Sequence, residues 1–190
     1  MGNPLPERPL LFLKPPSAII YNGESIVLPL DSQHVEHEAE IGVVIGQRAR
    51  HVSESEAMNV VSGFLPLNDV TARDIQKIDT QFTRAKGFDT FCPLGEEVPK
   101  FKSKWQDLEI ICRVNGMERQ HGHASNMVFG IPALIAFITK VMTLEVGDII
   151  ATGTPEGVAQ LYPGDLVEVE LAGLELLQNP VVAHEAEMRW

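Results

Sequence analysis

The stretch from His34 to Gly46 reads HVEHEAEIGVVIG, with carboxylates at alternating positions running directly into an apolar, β-branched run. Alternation with period two is the signature of a strand, in which residues two apart share a face. Glu36 to Gly46 is therefore expected to be one strand. Glu38 and Glu40 would project side by side, Glu36 would stand at the edge of the same row, and Ile41, Val43 and Ile45 would occupy the other face. Adjacent carboxylates on a strand that enters a core repel each other. They require a cation, a shared proton or bulk water. Two readings follow. The stretch is a solvated sheet edge guarded by charge, or it is part of a site for a hard divalent cation such as Mg²⁺, which prefers oxygen ligands. The second reading needs a carboxylate from another segment, and Asp69, after FLPLN, is the candidate. His34 and His37 offer a transition-metal alternative, but alternation sends His37 to the face opposite Glu38 and Glu40.

Around this strand the chain is punctuated by turns. Leu10–Pro16 (LLFLKPP) reads as a short buried strand stopped by two prolines. Ser25–Leu30 reads as another, after an Asn22-Gly23 turn. Ser53 with Glu56 has capping-box spacing and predicts a helix over 53–61. Residues 71–77 predict a short helix capped by Thr71, and 78–90 an irregular polar stretch. A strand over 108–114 turns at Asn115-Gly116 into a second over 117–120. Residues 131–143 predict a helix that tolerates Pro132 in its first turn. Strands follow over 147–152, 166–171 and 175–183. Many short strands with two or three helices predict a mostly-β, α+β domain.

The 190 residues suit one domain. A net charge of −11 argues against nucleic acid and against an anionic membrane surface, both of which need a basic footprint. No apolar run approaches the roughly 20 residues of a bilayer span, and no signal-peptide layout is present. Two cysteines, Cys92 and Cys112, cannot form a disulfide framework and read as reduced thiols of a cytoplasmic protein. Cys92, between Phe91 and Pro93, reads as packed rather than nucleophilic.

Three further polar clusters stand out. Arg73 and Gln76 are three apart and share a helical face, where a guanidinium could grip a substrate carboxylate or pair with Asp74 or Asp69. Lys86, in RAKGFD, could stabilise a developing enolate. The glycine-rich TGTPEG at 152–157 could turn backbone N–H groups onto an anion or serve as a structural turn. It lacks the ending of a Walker motif.

In order and spacing, the segments LLFLKPP, HVEHEAEIGVVIG, NDVTARDIQ, RAKGFDTFCPLG, VNGMERQHG and GDIIATGTPEGVAQLYPGDLVEVE closely resemble the fumarylacetoacetate hydrolase family. The resemblance runs from Leu10 to about Val182. Residues 1–9, MGNPLPERP, with three prolines and a glycine, read as an irregular segment; the resemblance implies a mixed β-sandwich roll, one catalytic domain over 10–190, and a homodimer. It implies a Mg²⁺ or Mn²⁺ site at Glu38, Glu40 and Asp69, with Lys86 beside the metal and Arg73, Gln76 and Thr154 on the substrate. Implied substrates are 2-oxo acids, their enols, or 2-hydroxy-dienoate dicarboxylates. Decarboxylation, isomerisation and C–C hydrolysis all pass through one enolate. Hydrolytic members carry a water-activating His–Glu pair just before the segment that LLFLKPP matches. Only MGNPLPERP stands there, so either the chain is shortened at its N-terminus or the activity does not use that pair, and the expectation is an isomerase or decarboxylase of the 2-hydroxyhepta-2,4-diene-1,7-dioate type. Alternatives are an acylpyruvate or fumarylpyruvate hydrolase, an oxaloacetate decarboxylase, or a low-activity paralogue that binds 2-oxo acids.

Overall fold

A computed structural model describes residues 6–184. Residues 1–5 of the expected irregular segment, and 185–190 of the expected domain, lie outside the described residues.

In chain order the strands and helices are β1 (Ile19–Ile20), β2 (Ile26–Leu28), β3 (Val35–Glu36), β4 (Ala39–Ile45), β5 (Val61–Asn68), β6 (Thr71–Ala72), α1 (Arg73–Ile78) and α2 (Thr83–Lys86). They continue with β7 (Cys92–Pro93), β8 (Val98–Pro99), β9 (Glu109–Val114), β10 (Met117–His123), α3 (Ile131–Val141), β11 (Ile149–Ala151), β12 (Leu166–Leu171) and β13 (Glu175–Ala183). One sheet runs β10-β9-β12-β13-β2 and a second runs β11-β4-β5-β8; β1 pairs with β7 and β3 with β6. This is the mostly-β, α+β architecture that the turn-punctuated sequence predicts.

The core lies between the two larger sheets. Ile41, Val43 and Ile45 of β4 join Ile110 and Cys112 of β9, Val167 and Val169 of β12, and Leu177 of β13 in one cluster. The opposite face of β4 is covered as well, with Val44 packing with Leu65, Leu67, Cys92 and Leu94. An interior strand covered on both faces explains why all seven residues of β4 are buried. The solvated-edge reading therefore fails. The expected single strand over 36–46 is interrupted at His37–Glu38, between β3 and β4.

Several local expectations need correction. Leu10–Pro16 forms no strand; it lacks a ladder partner, and Leu10 and Leu13 are exposed. Ser53 does donate to Glu56 at 2.6 Å, but the turn gives only a single 3₁₀ turn, Ala57–Asn59. Val61 onward is strand instead, paired with β4 from Val61 to Asn68; β-branched residues and Gly63 favour that ladder over helix propagation. Thr71 lies in β6 and does not cap α1, whose cap residue is Ala72. Within the stretch read as irregular, one helical turn forms as α2. The hairpin behaves as expected, since Asn115 and Gly116 both adopt positive φ, 54° and 74°, as a two-residue primed turn requires. None of the helices among the described residues is long and apolar enough to cross a membrane.

Candidate metal centre and substrate cavity

The site is built where β3 gives way to β4. The Glu38 N–H donates to the Asn68 side-chain oxygen at 2.9 Å, and the Asp69 N–H donates to the Glu38 carbonyl at 2.8 Å. An asparagine side chain thus replaces a ladder partner as the strands part. Glu38 and Asp69 are held across from one another, with Glu40 two residues further along β4. One oxygen from each of the three carboxylates lies within 4.8 Å of the others, and the residues are 6%, 3% and 1% exposed for Glu38, Glu40 and Asp69.

Cations surround two of the three. Lys86 Nζ, itself buried, donates to Glu38 Oε2 at 2.9 Å, to Thr71 Oγ1 at 2.9 Å and to Asp69 Oδ2. Lys14 Nζ donates to Asp69 Oδ1 at 2.7 Å. Arg73 spreads its fork over Glu36 (Nε to Oε2, 2.7 Å), Glu38 Oε1 and Gln76 Oε1. Each oxygen of Glu38 and Asp69 therefore has a cationic donor and keeps a lone pair for another partner. Glu40 accepts one N–H, from Gly153 at 2.8 Å, and makes no ion pair among the described residues.

The electrostatics follow. Burial first, then the charges of Asp69 and Glu38, push the Glu40 carboxyl up to about 8. Burial opposes charge on Lys86, but Asp69 and Glu38 outweigh it and hold its ammonium above the ordinary value. Burial also opposes charge on Glu36, and Arg73 with His34 more than reverses this, holding its carboxyl low. A buried, all-oxygen set with one surplus carboxylate fits a hard divalent cation. The transition-metal alternative finds no support in the histidines. His34 pairs with Glu36 at 2.8 Å, and His37 is buried on the other side against Gln120 at 2.9 Å, its imidazole held below its ordinary pKa by burial.

A cavity of about 620 Å³ opens over this cluster. Glu38, Glu40, Asp69, Arg73, Gln76, Lys86 and Thr154 all line it, so every candidate site residue from four separate segments converges there. Arg73 pairs with Glu36 and Glu38 rather than with Asp74, which instead accepts from Ser32 Oγ at 2.6 Å and the Gln33 N–H at 2.8 Å. Thr154 reaches the cavity with its hydroxyl proton directed to the Ala39 carbonyl at 2.9 Å. The opposite wall is apolar, with Leu11, Phe12, Phe82, Leu134 and Ile138. Phe12 stacks edge-on with Phe82 at 5.8 Å, and Lys86 Nζ sits 4.9 Å from the Phe12 ring centre. Burial raises the Cys92 thiol to about 11, in keeping with a packed rather than nucleophilic cysteine.

Sequence reasoning missed Lys14 as a member of the cluster. Its only signal was a lysine in an otherwise apolar segment, directly before two prolines. It also missed the pairing of Glu36 with Arg73, because the separation of 37 residues leaves no local trace.

Comparison with known proteins identifies the family of the chain. The family model for the C-terminal region of fumarylacetoacetate (FAA) hydrolase matches residues 1–182. An uncharacterised protein of Methanocaldococcus jannaschii is 47% identical over 181 residues, 95% of this chain and 76% of that one. A mitochondrial oxaloacetate decarboxylase of Dictyostelium discoideum is 41% identical over 92% of this chain and 83% of its own. A mitochondrial oxaloacetate tautomerase of Arabidopsis thaliana is 42% identical over 95% and 83%. Among solved structures, a 5-carboxymethyl-2-hydroxymuconate delta-isomerase from Mycobacterium smegmatis superposes with a TM-score of 0.92 at 43% identity, over 97% of this chain and 73% of that one. Over nearly all of its length, then, this chain is an enzyme-type domain that belongs to the fumarylacetoacetate hydrolase family.

Proposed function

We propose that the chain is a divalent-cation-dependent isomerase or decarboxylase acting, through an enolate, on a small 2-oxo dicarboxylate or its enol. The observation that carries this reading is the buried Glu38–Glu40–Asp69 cluster, flanked by Lys86 and Arg73 on the floor of one cavity. Relatives that act on oxaloacetate, and a neighbour that isomerises a 2-hydroxymuconate derivative, support the substrate class. Mg²⁺ or Mn²⁺, held by Glu38, Glu40 and Asp69, would supply Lewis-acid polarisation of the substrate's 2-oxo oxygen.

The chain's own residues do the rest. Arg73, with Gln76 bonded to its guanidinium, presents N–H groups suited to a substrate carboxylate. Lys86 keeps its proton, because two carboxylates stabilise the ammonium, so it serves as a fixed positive charge and hydrogen-bond donor rather than as a base. Placed at the floor, that charge favours the oxyanion formed when CO₂ leaves or when a proton shifts between carbon and oxygen. Phe12, Phe82 and Leu134 exclude water from the reacting carbon and strengthen these interactions.

The test is a panel of oxaloacetate and 2-hydroxy-dienoate diacids with Mg²⁺ present, following CO₂ release and enol decay separately. The reading expects turnover that Glu40→Gln abolishes while circular dichroism and melting stay native. Full activity in Glu40→Gln would sink it. Lys86→Met is expected to lower kcat by about 10²-fold or more. The homodimer implied by the family resemblance is part of the proposal, and light scattering at twice the chain mass checks it.

A further inference from the structure

The β10 strand carries a bulge between Glu118 and Gln120, where an extra residue shifts the register against β9. Bulges re-aim side chains, and here the re-aimed one is Gln120, 1% exposed and directed at the site from behind. Its carbonyl oxygen accepts the Ala39 N–H at 3.1 Å and His37 Nδ1 at 2.9 Å. Its NH₂ group donates to Thr154 Oγ1 and to the Pro155 carbonyl, both at 2.8 Å. Two backbone groups of opposite kind, an N–H and a C=O, fix which end of the amide faces which way. His37 must then carry its proton on Nδ1. Thr154 must in turn direct its own hydroxyl proton to the Ala39 carbonyl.

One amide therefore ties the first residue of β4 to the TGTPEG loop. The loop is also pressed against β10 at its far end: a Cβ on Gly157, where φ is +101°, would lie 2.0 Å from the Arg119 carbonyl oxygen. The docked loop does two things in the cavity. Gly153 gives Glu40 its hydrogen bond at 2.8 Å, and Thr152–Thr154 separate the site cavity from a neighbouring one of about 460 Å³.

We propose that Gln120 is a positioning residue for this site: by clamping the TGTPEG loop to β4 through Thr154 and Pro155, it fixes the cavity wall that this loop forms and holds the Gly153 N–H toward Glu40. The inference rests on the functional reading above, and its test separates the two. Oxalate, which mimics the chelating half of a 2-oxo acid, is titrated into Mg²⁺-loaded wild type; binding there speaks to the reading, and the variants speak to Gln120. Gln120→Met keeps the volume but loses all four contacts. It is expected to weaken oxalate binding about 10-fold or more, with Mg²⁺ affinity reduced in the same direction. The double variant with Thr154→Val should be no weaker than the worse single variant, because both changes break the same link. Gly157→Ala, whose Cβ would run into the Arg119 carbonyl and touch the Gln120 side chain, pushes the loop off β10 and should reproduce the oxalate loss in protein whose circular dichroism stays native. Oxalate binding within twofold of wild type in either folded variant overturns the proposal, as do effects of Gln120→Met and Thr154→Val that simply add.

Discussion

At the scale of single residues, charge balance dominates the site. Glu40 is raised to about 8 by burial and by Asp69 and Glu38, so the metal-free folded protein holds a proton that the unfolded chain releases near 4.5. The folded state then binds more protons than the unfolded one between those limits, and stability falls as pH rises through that window. Loading a cation requires the proton to leave. Titration of Mg²⁺ at pH 7 is therefore expected to release close to one proton per ion, and affinity should climb with pH up to about 8. Calorimetry in buffers of different ionisation enthalpy measures this directly; a proton count near zero contradicts it. Lys86 gives a second prediction. Lys86→Met leaves Glu38 and Asp69 without a buried partner they share. Such a loss costs roughly 3–5 kcal/mol, readable in urea unfolding, and added Mg²⁺ should restore part of it.

At the scale of elements, the decisive choice is that the helix expected over 53–61 shrinks to the 3₁₀ turn Ala57–Asn59, with strand β5 starting at Val61. The capping box at Ser53 is real as a hydrogen bond, yet local capping is worth only about 1 kcal/mol. Pairing along β4 outweighs it. Gly63 shows how tightly that sheet is built, since a Cβ there would meet the Val98 carbonyl at 2.4 Å. Gly63→Ala must part β5 from β8 and is expected to cost about 1–3 kcal/mol. Because Gly63 sits toward the far end of β5 from Asp69, Mg²⁺ affinity should be unchanged. Thermal melting and calorimetry on one sample separate the two effects.

At the scale of the whole molecule, the site is also a folding element. It brings buried like charges into the centre of the fold, so ligand binding and stability are linked. At a Mg²⁺ concentration 100-fold above Kd, the native state should gain about 2.7 kcal/mol. For a chain of this size that is a rise in Tm of about 5–10 °C, at roughly 2–4 °C per kcal/mol. The gain should be larger at pH 8 than at pH 6, because the cation replaces the proton on Glu40. A scanning series with and without Mg²⁺ checks this, and Glu40→Gln should flatten it.

Sequence alone determined what is short in range or chemically marked. The Asn115-Gly116 hairpin, α3 with its early proline, and β12 follow from turn chemistry and periodicity acting over a few residues. Glu38, Glu40 and Asp69 were visible as carboxylates that call for a cation if buried, whereas Arg73, Gln76, Lys86 and Thr154, each with an ordinary alternative, were singled out chiefly because their segments in order resembled one family. Tertiary structure decided the rest. Whether the acidic strand was a wet edge or a covered interior depended on Leu65, Leu67, Cys92 and Leu94 closing over the other face of β4. Lys14 reaches Asp69 across 55 residues, and Gln120 reaches Thr154 across 34, through contacts that no periodicity encodes. Burial and long-range pairing are properties of the assembled sheets, and they turn a row of carboxylates into a site that can hold a cation.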